Sequence, residues 1–193
     1  MLQGRPYGGC AIFWKKSFSP FVKRIDSKCE RIAAISLSYD DYTVLIVCVY
    51  MPVDPRVLNV DSCEEYSDVL NAVSECMVKS DADYFIIGGD LNTDLSRRSA
   101  HCHLLSDFVQ LESLSLCVDS NVNFTFRNSL NQKSNIDHFL ISQNLDDCVR
   151  ELATSDDGDN LSHHLPVSLS LDFATQRVTS GASNSNFDPC YIE

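Results

Sequence analysis

Asp90 and Asn92 stand two residues apart in IIGGDLNTD, where an apolar run ends. In an extended segment, side chains at that spacing point the same way, so a carboxylate and a carboxamide converge on one place. One can take a proton from water while the other orients it, as phosphodiester hydrolysis requires. In SNIDHFLIS, Asp137 lies in a strand-like run with Ile136 and Phe139 apolar nearby and needs a partner, for which a histidine ring nitrogen is suitable. Two adjacent imidazoles, His163 and His164, occur in DDGDNLSHHLPV just before a strand-like run. Neighbours in a strand point to opposite faces, so the pair does not share one role. Tyr50 closes the apolar run before Pro52, and its hydroxyl can donate to a phosphate oxygen or to water. Each stretch alone also reads as a turn, a core position or a surface histidine. Four together, in this order, are harder to dismiss.

The elements that must hold these residues follow from periodicity. Residues 8–14 (GGCAIFW) read as a short strand after a Gly-Gly turn, followed by the bases Lys15, Lys16, Lys23 and Arg24. Ile35, Leu37 and Tyr39 alternate with serines, which predicts a half-exposed strand. The uninterrupted run VLIVCVYM (44–51) predicts a strand covered on both faces. Tyr66, Val69, Leu70, Val73 and Met77 fall at helical spacing over residues 61–79, with Asp61 or Ser62 as the N-cap. Residues 84–87 predict a buried strand that breaks at Gly88 and Gly89. A second helix is expected around Leu104, Leu105, Phe108, Val109 and Leu111. Further strands are expected at 123–126, at 136–142 and at 167–173, the last with Val167, Leu169 and Leu171 inward. From Ala174 onward the chain is polar and unpatterned, and reads as a disordered tail or linker. Strand-rich with interleaved helices, the pattern predicts an α/β sandwich and not a dinucleotide-binding fold, since no GxGxxG opens a helix.

Composition sets limits on function. At 193 residues and 44% hydrophobic content, one domain with one sizeable core is expected. No apolar stretch is long enough to span a bilayer, and the start is unlike a secretion signal, so a soluble cytoplasmic or nuclear protein without membrane partners is expected. The nine cysteines are scattered and never spaced CxxC, which suits reduced thiols better than disulfides or zinc. A net charge of -12 argues against polyanion binding by the whole surface, while clustered carboxylates suit a divalent cation.

The order G-G-strand, YxP, GDxN, IDHF and S-x-H-x-P resembles the endonuclease/exonuclease/phosphatase superfamily over roughly residues 4–172. Within it, GRPYGGCAIFWKKS and DDGDNLSHHLPV are most similar to the endonuclease domain of non-LTR (LINE-type) retrotransposons. The resemblance implies a four-layered α/β sandwich of the deoxyribonuclease I type over residues 1–173, lacking the family's first strands, with 174–193 as the tail. It implies that Asp90 orients or deprotonates the attacking water, that Asn92 holds water and phosphate, and that Tyr50 contacts the phosphate. Asp137 would pair with His164, which touches the scissile phosphate. Magnesium, or manganese in its place, is the implied cofactor. DNA is the implied partner, with a downstream reverse transcriptase in the parent element. There are two departures from the family pattern. His163 stands where relatives carry a metal-binding aspartate, and MLQG lacks the family's metal-binding glutamate. Three readings therefore remain open: an endonuclease nicking DNA, a catalytically inactive remnant or binding module of the same fold, and a phosphatase of lipid or small phosphates.

Overall fold

The apolar run at 44–51 forms the centre of a six-stranded sheet in the computed structural model, which describes residues 9–39, 41–54, 60–156, 158 and 160–173. In chain order the elements are β1 (Val22–Ile25), β2 (Ile32–Ser38), β3 (Thr43–Tyr50), α1 (Val60–Ser80), β4 (Tyr84–Asp90), α2 (Ala100–Leu111), β5 (Leu114–Leu116), β6 (Phe126–Arg127), β7 (Lys133–Ser134), β8 (Asp137–Ser142), β9 (Val149–Thr154) and β10 (Val167–Leu171). The main sheet runs β1-β2-β3-β4-β8-β5, and β10-β9 and β6-β7 form two small ribbons. Only β3 and β4 pair in parallel, joined by the crossover through α1.

Alternation along β3 decides the layers. Leu45, Val47 and Val49 face one core cluster, which α1 and α2 close with Val69, Leu70, Val73, Leu105 and Phe108. Val44 and Ile46 face the other, closed by Leu152 of β9 and Leu169 of β10. Burying each such side chain contributes about 1.5–3 kcal/mol, which makes the sandwich the only arrangement that satisfies both faces of β3. Helices, sheet and ribbon thus stack as an α/β sandwich; no α-helix covers the ribbon's outer side among the described residues.

Several expectations are corrected. Residues 9–15 form no strand, and Phe13 is 87% exposed, because a strand exists only where a neighbour accepts its hydrogen bonds. β2 is buried on both faces, Ser36 included, since β1 and β3 flank it and core covers each side. β4 does not break at its glycines but runs through them to Asp90. They are positions of close approach: a Cβ on Gly88 would meet the Phe139 ring at 2.5 Å, and one on Gly89 would meet the Val49 carbonyl oxygen at 2.0 Å. α1 starts at Val60, ahead of both expected caps, so Asp61 lies in its first turn and Ser62 bonds a histidine instead. Of 123–126 only Phe126 is in a strand. β10 ends at Leu171, with Leu169 buried and Val167 and Leu171 packed against the same cluster. The expected tail lies outside the described residues.

At the seam of the two helices His101 is fully buried, its ring 4.2 Å from that of Tyr66. Nε2 meets the Ser62 hydroxyl at 3.1 Å, while Nδ1 has no hydrogen-bond partner and lies 3.9 Å from Asp54 Oδ1. Burial holds its pKa below the usual 6.5, outweighing the nearby carboxylate. The unfolded chain therefore binds the proton first on acidification, so this contribution is complete above pH 6.5 and is lost as the pH falls towards the folded pKa. Thermal melts between pH 7 and 5 should fall less steeply for His101→Gln than for the unsubstituted chain, by at most about 1.4 kcal/mol per pH unit. Parallel profiles would mean that the imidazole is not held neutral.

Candidate functional site

Asp90 closes β4, and it stands in register between Tyr50 on β3 and Asp137 on β8. Residues in register across neighbouring strands share a face, so the three form a row at one end of the sheet, on the side that the β9–β10 ribbon covers. His164 reaches this row from the loop before β10. Its backbone is pinned on several sides: its N–H donates to the Ser162 hydroxyl (3.0 Å), its carbonyl accepts from Asn160 Nδ2 (2.6 Å), and it bridges to Phe126. Thr125 fastens both halves of the site. Its hydroxyl accepts from the Ile136 and Asp137 amides at 3.1 and 3.0 Å, and its carbonyl accepts from Leu165 at 2.7 Å.

His164 Nδ1 lies 3.0 and 3.1 Å from the two Asp137 oxygens. A carboxylate accepts, so this nitrogen is assigned the proton and donates. That leaves Nε2 facing Asp90 Oδ2 at 4.0 Å. The Asp137 hydrogen bond raises the imidazole pKa above its ordinary value, against the opposing effect of burial. Burial, and then the charge of Asp137, push the Asp90 carboxyl up to about 6. The result is a carboxylate that takes up and releases a proton near neutral pH beside an imidazole steadied by a second carboxylate.

Asn92 is brought to Asp90, though not by strand alternation. The chain turns at Asn92 with φ +48°, and its N–H donates to Asp90 Oδ1 at 2.9 Å, an Asx-type turn in place of the extended segment expected. Its side-chain amide donates to the Met51 carbonyl at 2.8 Å. Buried groups lock this turn from below. The Tyr66 hydroxyl donates to the Leu91 carbonyl (3.2 Å) and meets the Thr93 hydroxyl (3.0 Å), and the Thr93 carbonyl bonds His138 Nε2 (2.9 Å). Tyr50 is half-buried, with the Arg31 guanidinium 5.4 Å from its ring centre and Arg31 itself on Glu65 at 2.8 Å.

His163 is exposed and edge-on to Phe126 at 6.2 Å. It stands outside the one group of metal-ligating side chains found among the described residues, which is Asp90, Asp137 and His164 with their atoms within 4.8 Å of one another. The expectation of His163 as a ligand therefore finds no partner set here, because its neighbour His164 takes the inward direction. Arg31, Thr93, Thr125 and His138 were not singled out by spacing. Tyr66 carried only a core-helix signal, and Thr125 sat in a stretch read as strand.

Two carboxylates facing each other across one imidazole, with Asp90 half-protonated near pH 6, suit a hard divalent cation whose charge would relieve their repulsion. Magnesium is usually held by one or two carboxylates together with waters and substrate phosphate, and the residues present fit that mode.

No family model matches the sequence, and no curated protein matches it. The solved structures do. The 3′ phosphatase NExo from Neisseria bound to a product DNA hairpin is 16% identical at TM-score 0.58, over 77% of this chain and 67% of that one. The endonuclease domain of TRAS1, a telomere-specific non-LTR retrotransposon, is 16% identical at TM-score 0.57, over 75% and 65%. An AP endonuclease from Archaeoglobus fulgidus is 13% identical at TM-score 0.57, over 77% and 68%. The chain thus spans about two thirds of the length of these structures. It has the fold shared by endonuclease/exonuclease/phosphatase proteins, a deoxyribonuclease I-like sandwich. No described helix is long and apolar enough to cross a membrane.

Proposed function

We propose that this chain is a phosphodiesterase that nicks DNA by hydrolysis, of the kind carried by non-LTR retrotransposons. The observation that carries the reading is the imidazole of His164, hydrogen-bonded through Nδ1 to Asp137 while Nε2 faces Asp90 4.0 Å away. Asp90 orients the attacking water or takes its proton. Asn92, fixed on Asp90 by its backbone, holds that water and the phosphate. His164, its positive form favoured by Asp137, faces the charge that grows on the phosphate oxygens as the P–O bond breaks. Tyr50, in register with Asp90, donates to a phosphate oxygen. Asp90 and Asp137 are the oxygen donors that would hold magnesium or manganese, which when bound supplies charge neutralisation at the phosphate and leaving oxygen. A nuclear or cytoplasmic location and a reverse transcriptase in the parent element belong to the same reading. It is supported by endonuclease names among structures of the same fold, and by a 3′ phosphatase of that fold bound to a DNA hairpin.

One observation favours a second reading, a binding module that keeps the fold without cutting. Both Asp137 oxygens lie within hydrogen-bond distance of His164, and one Asp90 oxygen accepts from Asn92, so the cluster is held together by its own hydrogen bonds. Nicking of supercoiled plasmid with magnesium or manganese separates the two, and cutting no faster than by His164→Ala would sink the catalytic reading. Hydrolysis in a panel of inositol phosphates, without plasmid nicking, would instead favour a small-phosphate phosphatase.

The exposed His163 supplies a graded test. His163→Asp adds a hard oxygen and a negative charge next to His164, and should lower the magnesium concentration for half-maximal nicking by on the order of tenfold. An unchanged or higher requirement would show that this position does not face the cation.

A further inference from the structure

The chain carries a net charge of -12, yet residues 9–31 hold six of its fifteen bases against two acids. The same segment exposes three aromatic rings: Phe13 at 87%, Trp14 at 45% and Phe21 at 52%. Lys15, Lys16, Lys23, Arg24 and Lys28 of the same segment are all exposed, Arg24 with Asp26 at 3.2 Å. A local excess of positive charge on an acidic protein selects a polyanion, and the rest of the surface repels one, so binding is confined to this place.

The segment's position adds direction. Cys10 Sγ donates to the Arg31 carbonyl at 3.1 Å, and that same carbonyl accepts from the Tyr50 N–H at 3.0 Å. The segment therefore starts beside Tyr50 and runs from there to the far end of the sheet, where Val22 pairs with Leu37 and Leu37 with Val44. Ile12 packs into the core between sheet and ribbon, which anchors the segment on that side of the sheet. From there it passes Phe13 to Lys16, turns through a 3-10 helix at Lys16–Phe21 and enters the edge strand β1. The indole of Trp14 is held by a hydrogen bond from Nε1 to the Ser19 hydroxyl at 3.2 Å.

Exposed rings close in sequence to lysines match one polyanion better than others. A single-stranded nucleic acid offers unpaired base faces for stacking and a phosphate backbone for the lysines, whereas a duplex hides its base faces. A bilayer would also take aromatic and basic side chains, but its anionic plane repels the rest of this acidic surface, whereas a single strand can follow the strip alone. We propose that Phe13, Trp14 and Phe21, with Lys15, Lys16 and Arg24, form a docking strip for single-stranded nucleic acid. The strip is separate from the Asp90–Asp137–His164 cluster and does not depend on whether that cluster cuts.

Trp14 is the chain's only tryptophan, so its fluorescence reports the strip directly. A short oligothymidylate titrated in EDTA should quench it, with an affinity that falls steeply as salt rises. Lys15→Glu with Lys16→Glu should weaken binding by about tenfold or more and lower the salt slope by about 1.4, as expected for two lost single-strand phosphate contacts. Phe13→Ala should weaken it by about 5- to 100-fold, the usual range for a lost stacking partner. All three positions are exposed, and circular dichroism melts confirm that the variants fold. His164→Ala should bind as the unsubstituted chain does. Absence of quenching at tens of micromolar strand would overturn the proposal, as would quenching indifferent to these substitutions. Quenching by phosphatidylserine vesicles but not by the oligonucleotide would assign the strip to a membrane instead. Failure of plasmid nicking with oligonucleotide binding intact would count against the catalytic reading alone.

Discussion

His164→Ala is expected to reduce plasmid nicking by about 10²–10⁴-fold, the usual contribution of a positioned acid–base group. The side chain is 36% exposed, and its main apolar contact is the Phe126 ring at 4.8 Å, so the fold should survive at a cost of about 1 kcal/mol or less. Asp137→Asn sharpens the result because it removes charge with little change of volume. The carboxamide carries no charge to hold the imidazole pKa up, so the ring loses its positive form and with it the charge that faces Asp90 and a phosphate. It should therefore lose activity by at least tenfold while melting within a few degrees of the unsubstituted chain. Full activity in either variant would show that the Nδ1–Asp137 bond is structural and that the site does not work through His164.

The largest effect on stability is expected at a residue with no side chain. Gly89 sits one pair from the end of the parallel β3–β4 ladder with φ +142°, and a Cβ there would lie 2.0 Å from the Val49 carbonyl oxygen. That oxygen belongs to the backbone of the most buried strand, so the clash cannot be relieved by rotating a side chain. Positive φ adds strain of its own for an L-residue. Gly89→Ala should cost about 3–5 kcal/mol, combining overpacking with backbone strain. Gly88→Ala is the control. Its Cβ would meet the Phe139 ring at 2.5 Å, a side chain that can shift, and a cost of about 1–3 kcal/mol is expected. Urea denaturation of both variants measures the difference, and a Gly89→Ala no worse than Gly88→Ala would show that β3 yields where the geometry says it cannot. Because Asp90 follows directly, any residual folded Gly89→Ala should also nick poorly.

Much of the architecture was legible along the chain because burial imposes a period. The unbroken run at 44–51 became the sheet's centre strand, the helical spacing from Tyr66 to Met77 became α1, and IDHFLIS became β8 almost residue for residue. The edge elements were not legible. β1 (VKRI) and β5 (LSL) are too short and mixed to show a period, and β9 alternates weakly; these strands exist because a neighbour offers a ladder. GGCAIFW shows the converse: strand-like composition without a pairing partner among the described residues gives no strand.

For the site, the residue types and their order along the chain were enough to nominate Tyr50, Asp90, Asn92, Asp137 and His164, because phosphate chemistry draws on few side chains. What the tertiary structure decided was which of them meet and how. Register across β3, β4 and β8 lined up Tyr50, Asp90 and Asp137, contributed by segments separated by forty residues or more. The turn at Asn92, held through Thr93 by Tyr66 of α1 and His138 of β8, replaced an alternation that local rules would have given. Of two adjacent histidines, the loop fastened by Asn160, Ser162 and Thr125 aimed His164 inward and left His163 in solvent. Local sequence can limit side-chain chemistry and strand period, but direction and distance depend on hydrogen bonds between segments remote in the chain.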